Sequence, residues 1–287
     1  MKKLFISLLC LALLSGCTAN YAAQNNGKDI TKSNNETTSA LETTIVSSTT
    51  EPTAQAVAGI DSLSTQKVIW GVGNIENHAQ PSEPLGLQQA FSDYKAAWLL
   101  DNGKEIALTF DEGYENGFTP AILDTLKEKD VKAIFFVTYD FAKDNNELIK
   151  RMIDEGHTVG NHSYHHYSMD ELDKETAKEE ITFLHDYIKD NFNYTMSYFR
   201  FPKGEFSEQN LKLVEDLDYK SVFWSYAYAD WDRDNQPDET KAFTNICEST
   251  HPGEIMLLHA VSQTNADILG KVIDDIKQQG YTFTTDI

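Results

Sequence analysis

Glu105-Ile106-Ala107-Leu108-Thr109-Phe110-Asp111-Glu112-Gly113 is a short apolar run that ends in two acids and a glycine. Such a run, bounded by a turn signal, reads as a buried strand near Glu105 to Phe110 with its polar tip at the C-terminal end. Four later segments have the same design: Asn161-His162-Ser163-Tyr164-His165-His166, Arg200-Phe201-Pro202-Lys203-Gly204, Ala229-Asp230-Trp231 and Leu257-Leu258-His259. Each sits where a strand pattern runs out. Acids, imidazoles and a guanidinium recurring at successive strand ends imply one cleft on one sheet, and an enzyme before any other class.

Outward from that stretch, β-rich runs alternate with amphipathic ones. Strands are expected near Glu105 to Phe110, Ala133 to Val137, Thr158 to Asn161, Ser197 to Phe201, Ser221 to Trp224, Ile255 to His259 and Tyr281 to Thr284. Helical patterns lie near Gly117 to Lys129, Asn146 to Glu155, Asp170 to Asn191, Ser207 to Leu217, Asp238 to Ser249 and Ala266 to Gln279. Asp170 and Ser207 are suited to N-caps, Pro120 to a first helical turn, and Gly156 and Gly280 to helix stops. The alternation implies a parallel sheet with right-handed crossovers. A doubly wound sheet would gather its ligand groups at one switch point, whereas polar tips end strand after strand here. That favours an incomplete (β/α)7 TIM-like barrel.

The N-terminal part has another character. Lys2 and Lys3 precede an apolar run from Leu4 to Leu14 and then Ser15-Gly16-Cys17, the layout of an export signal over 1–17. Leu14-Ser15-Gly16-Cys17 resembles a bacterial lipobox, which implies lipidation of Cys17 and anchoring to the outer face of the plasma membrane. Residues 18–66 are rich in Thr, Ser, Asn, Ala and Gln, a composition that reads as a flexible tether. All four Trp and every Phe except Phe5 fall in 67–287, enough chain for one large domain. With Cys10 in the signal and Cys17 lipidated, Cys247 is left as a buried apolar filler with no disulfide partner. The formal net charge of -21 would repel phosphate backbones, so nucleic acid is disfavoured as a partner.

His162 and His166 are spaced to put two imidazoles on one side of a helical turn, and Asp111-Glu112 offers carboxylates. Two histidines and one carboxylate suit a divalent metal that keeps open positions. Arg200 is placed to pair with Asp111 and hold it ionised, and His259 ends an apolar run where burial makes its ring find a partner. His165 reads as a solvated or supporting residue. Trp231 and Phe201 could supply apolar walls to the cleft. Amide hydrolysis needs a strong nucleophile, oxyanion stabilisation and a proton for the amine, and this set can supply all three.

Together the five segments resemble the motifs of the polysaccharide deacetylases, the NodB-homology or carbohydrate esterase family 4, over about Val68 to Ile287. Ile69-Trp70-Gly71, Gly113-Tyr114-Glu115-Asn116-Gly117 and Val261-Ser262 bring the chain nearest to the branch that deacetylates N-acetylmuramic acid in peptidoglycan, on the way to the muramic δ-lactam of spore cortex. The resemblance implies Asp111 as general base, Glu112, His162 and His166 as metal ligands with zinc as the expected ion, Arg200 steadying the base, the Lys203 backbone N–H at the oxyanion, and His259 as general acid. It also implies glycan strands of peptidoglycan as substrate, acted on by a monomer. Three positions depart from the family pattern. Ala227 stands where an Asp often tunes the acid, so that either Asp230 of the remaining Asp230-Trp231 takes over this catalytic role or His259 works with less electrostatic support; Glu112 replaces an Asp; Lys203 replaces a Tyr. The alternatives are a glucosamine or chitooligosaccharide deacetylase of the same family and a non-catalytic glycan-binding lipoprotein.

Overall fold

The structure, a computed structural model, describes residues 59–287. The expected signal, Cys17 and the tether up to residue 58 lie outside the described residues.

β2 (Glu105–Glu112) is an interior strand of a parallel sheet, because an eight-residue strand buried from Ile106 onward needs neighbours on both edges and layers on both faces. It pairs with β3 (Ile134–Val137) on one side and β7 (Ile255–His259) on the other. The sheet continues through β4 (Thr158–Asn161), β5 (Tyr198–Phe199), β6 (Lys220–Val222) and β1 (Ala96–Ala97), in the order β1-β6-β5-β4-β3-β2-β7. β8 (Thr282–Phe283) pairs with the start of β2 off this path. Among the described residues only the isolated bridges Leu99–Glu254 and Tyr226–Met256 span the gap between the two ends, so the barrel curls without closing. That is the incomplete α/β barrel expected from the sequence.

Strand alternation sorts the core into two layers. Ala107, Ile134, Phe136, Val222 and Ile255 fill the lumen, while Leu108, Phe110, Phe135 and Val137 face outward to the helices. Gly160 belongs to the lumen: a Cβ there would come within 2.5 Å of the Phe136 ring. Each fully buried Phe contributes roughly 1.5–3 kcal/mol relative to exposure.

The helices are α1 (Ser82–Ala90), α2 (Thr119–Glu128), α3 (Tyr139–Asp144), α4 (Asn146–Asp154), α5 (Lys174–Phe192), α6 (Glu208–Asp216), α7 (Glu239–Ser249) and α8 (Gln263–Gln278). Ser207 caps α6 in a reciprocal box with Asn210, and Gly156 and Gly280 stop α4 and α8 at positive φ. Three details differ from expectation. α1, α3 and β1 carry too few apolar positions to stand out by period. α5 is capped by Asp173, whose carboxylate accepts from the Thr176 N–H at 2.9 Å, whereas Asp170 sits in a 3-10 turn and pairs with Lys67. The domain also begins earlier than residue 67, since the Gln209 N–H and side chain donate to the Ser64 and Ile60 carbonyls. Cys247 is buried and free, its thiol pushed up to about 12 by burial. No helix among the described residues is long and apolar enough to cross a membrane.

Candidate active site

Asp111 and His259 are direct partners in the β2–β7 register, so adjacent parallel strands deliver a carboxylate and an imidazole to the same level of the C-terminal face. Below them lies Arg200, fully buried, its guanidinium 4.1 Å above the Phe136 ring. Its Nε and Nη2 donate to the Val222 and Phe223 carbonyls at 2.9 and 3.0 Å. Nη1 reaches Thr109 Oγ1 at 2.7 Å and Asp111 Oδ1 at 2.9 Å. Thr109 and Asp111 are two apart and therefore share the lumenal face. Burial pushes the Asp111 carboxyl up, but His162, Arg200 and His259 together outweigh it and hold the group below the usual carboxylate range.

His162 and His166 come together through an irregular loop and not a helical turn. Ser163 and His166 adopt φ of 70° and 61°, and the loop is tied by the Asn161 side chain accepting from the Ser163 N–H and Ser163 Oγ accepting from the His166 N–H, both at 2.9 Å. The two rings meet edge to face with centroids 4.8 Å apart. His162 Nδ1 donates to the Arg200 carbonyl at 2.9 Å, which leaves the lone pair of Nε2 facing Asp111 Oδ2 at 3.4 Å. Burial lowers the pKa of both rings, that of His166 to about 4, so both are neutral, as metal ligands must be.

Glu112 does not join them. One residue on from Asp111, it points to the opposite face of β2, where Oε1 lies 3.5 Å from Thr119 Oγ1 on α2 and Oε2 has no partner. Burial, then Glu115 and Asp111, raise its pKa well above the usual carboxylate value. The expected set of Glu112, His162 and His166 therefore does not fit a metal. Among the described residues no three His, Cys, Asp or Glu side chains are gathered closely enough to hold an ion as they stand. The donor chemistry fits through other residues: His162 Nε2 and Asp111 Oδ2 are two acceptors facing each other with no proton between them, a contact that a cation relieves, and His166 stands beside them. Glu112→Gln is then expected to leave divalent-metal affinity within about twofold in calorimetric titration. A loss of tenfold or more would return Glu112 to the ligand set.

Asp230 takes the place left open by Ala227. Buried at the end of its loop, its Oδ1 accepts from His259 Nδ1 at 2.7 Å, while Oδ2 accepts from the His259 N–H at 2.8 Å and Asn265 Nδ2 at 2.6 Å. Burial lowers the pKa of His259, but Asp230, with help from Asp111, raises it above 6.5 overall. Trp231 is 57% exposed with its ring 5.9 Å from that of His259. Asp111, His162, His166, Lys203, Trp231 and His259 line one cleft of about 720 Å³.

Phe201 does not line it. Its ring is wholly buried and stacked on Phe223, because its position behind Arg200 turns it into the core. Lys203, at φ 59° in the turn after Arg200, reaches Ser168 Oγ at 3.1 Å. Sequence reasoning missed Thr109, which shares Arg200 with Asp111, and Glu180, which accepts from His165 Nδ1 at 2.6 Å. The signal for Glu180 was present: it falls on the buried stripe of α5 with Ala177, Ile181, Leu184 and Ile188.

Comparison with known proteins gives a consistent picture. The profile of the family described as polysaccharide deacetylase matches residues 101–222. A 30.6 kDa protein of Geobacillus stearothermophilus, itself uncharacterised, is 43% identical over 77% of this chain and 84% of its own length. The peptidoglycan-N-acetylmuramic acid deacetylase PdaA of Bacillus subtilis is 41% identical over 80% of this chain and 88% of its own. Its structure, described as a family 4 carbohydrate esterase, superposes with a TM-score of 0.74 over 77% of this chain and 96% of that one. A peptidoglycan-N-acetylglucosamine deacetylase of Bacillus cereus is 32% identical over 64% of this chain and 67% of its own.

Proposed function

The chain belongs to the polysaccharide deacetylase family, and from that premise we propose that it hydrolyses the N-acetyl group of N-acetylmuramic acid in peptidoglycan strands. The observation that carries the reading is the registered pair Asp111 and His259, a carboxylate held ionised and an imidazole held protonable, in one cleft with two neutral imidazoles. Deacetylases of this family are generally metal-dependent. His162 and His166 are the residues that would hold a divalent ion, with zinc as our expectation, and when bound it would acidify water and polarise the acetyl carbonyl. In the proposed reaction Asp111 Oδ2 accepts the proton of the attacking water while Arg200 keeps its other oxygen in place. The Lys203 N–H, in the turn after Arg200, donates to the oxyanion. His259, its Nδ1 held by Asp230, gives a proton from Nε2 to the departing amine as the C–N bond breaks. The proposal includes export and anchoring through Cys17, since peptidoglycan lies outside the plasma membrane.

Muramic acid differs from glucosamine by a lactyl group ending in a carboxylate. Lys203 supports the muramic reading, because it is a cationic residue among those lining the cleft of a chain whose net charge of -21 otherwise repels an anion. Mass spectrometry of digested, peptide-stripped glycan treated with metal-loaded enzyme is expected to show acetyl loss on muramic acid. Loss on glucosamine alone would overturn that specificity, and release from neither sugar would overturn the activity. Lys203→Met should lower the muramic-to-glucosamine ratio of kcat/KM by about tenfold, with Lys203→Arg restoring most of it. A non-catalytic glycan binder would have no use for the Asp230 contact that orients His259.

A further inference from the structure

Among the described residues the large apolar side chains left exposed are Ile69, Tyr114, Tyr167, Phe183 and Trp231. Single exposed aromatics need no explanation, but two of these four rings line the cleft and the other two continue a stack that begins in its wall. Tyr114 and Trp231 line it directly. Phe183 and Tyr167 are the ends of a ladder: Phe183 stacks on Tyr164 at 4.2 Å and 22°, Tyr164 lies 3.7 Å from His165, and His165 stacks on Tyr167 at 5.0 Å and 18°. The two middle rungs, Tyr164 and His165, line the same cleft.

The ladder is built and held. Tyr139 meets both Tyr164 and Phe183 edge-on, at 4.8 and 5.1 Å. Glu180 takes both the His165 ring and its backbone N–H, at 2.6 and 2.7 Å. Rigid aromatic surface positioned in this way offers contact area at low entropic cost. The ladder rises from the loop after β4 and from α5, whereas Trp231 stands against His259 at the end of β7. In the sheet order β2, with Asp111, lies between the two groups.

We propose that these aromatics form a track for a glycan strand, with the Tyr164–His165 ladder holding sugars on one side of the reacting residue and Tyr114 and Trp231 holding those on the other. Sugar rings present apolar C–H faces with hydroxyls around the edge, so they stack on aromatic rings while the edge stays solvated. Continuity with the cleft argues for a polymer threaded through it. The inference rests on the deacetylase reading and extends it from one sugar to a strand.

The test uses the full chain, wild type and Tyr167→Ala/Phe183→Ala, with folding checked by thermal melting since both positions are exposed. Acetate release is followed on peptide-stripped glycan fractions of increasing length, and sedimentation with insoluble peptide-stripped glycan reads binding without turnover. In the variant, the kcat/KM advantage of long over short glycan should fall about tenfold, mainly through KM, and sedimentation should weaken by a similar factor. An unchanged length ratio with unchanged sedimentation overturns the track. If the wild type releases no acetate from any fraction, the deacetylase reading fails, and sedimentation alone decides the track. Loss of binding to anionic phosphatidylglycerol vesicles with glycan binding retained would assign the aromatics to a membrane and overturn the proposal.

Discussion

Asp111→Asn should lower kcat/KM for acetate release by a factor of about 10² to 10⁴, the usual contribution of a general base. The amide is nearly the same shape, so substrate still enters, but it cannot accept a proton from water. It also removes the one carboxylate on the face where the two imidazoles stand, so calorimetric titration should show weakened metal binding as well. A second consequence follows from burial. Arg200 has no exposure, and Asp111 is the carboxylate paired with its charge. Breaking a buried ion pair by removing one partner costs up to about 3–5 kcal/mol. The Thr109, Val222 and Phe223 contacts remain and offset part of this, so the variant should fold with a lowered Tm. Activity within tenfold of wild type would remove Asp111 from the role of base.

Asp111 and Glu112 show where the sequence was legible and where it was not. The apolar run that ends in acids fixes the strand, and repeated polar tips indicate the barrel, because both follow from burial and period. Which of two adjacent acids faces the lumen follows from the pleat: β2 extends through Glu112, so neighbouring side chains must point to opposite faces. The expected strand stopped at Phe110, and that hid the consequence. Phe201 was misplaced in the same way, since an apolar residue beside a functional one reads equally as wall or core. Asp230 was visible as an acid next to Trp231, but its reach to His259 depends on a loop between β6 and α7 that has no period. The aromatic ladder was harder to see, because its rungs come from two separate segments, Tyr164 to Tyr167 and Phe183 on α5. Only the packing of the α5 stripe brings them together.

Asp230→Asn is expected to be the second most damaging single change. In the wild type the carboxylate accepts from His259 Nδ1–H, which leaves Nε2 to face the reaction. An amide can present its own N–H to Nδ1 instead, so that Nδ1 cannot carry its proton and the imidazolium that donates from Nε2 is disfavoured. In the flipped orientation the amide oxygen keeps the Nδ1–H contact, but the amide nitrogen then confronts the His259 N–H and Asn265 Nδ2, donors that Asp230 Oδ2 now accepts from, and an unsatisfied buried donor costs about 1–3 kcal/mol. The loss in kcat should be about 10² or more, with a smaller change in KM. The pH profile separates this from mere loosening of the loop. Asp230 raises the pKa of His259 above 6.5, and a general acid works only while protonated, so wild-type activity falls as pH rises through that raised value. Without the carboxylate the pKa drops, and the alkaline limb of kcat should move to lower pH. Stability has the same sign: the contribution of the pair is fully present below the unfolded pKa near 6.5 and is lost as pH rises through the folded value. A variant with reduced kcat but an unmoved alkaline limb would mean that another group supplies the proton.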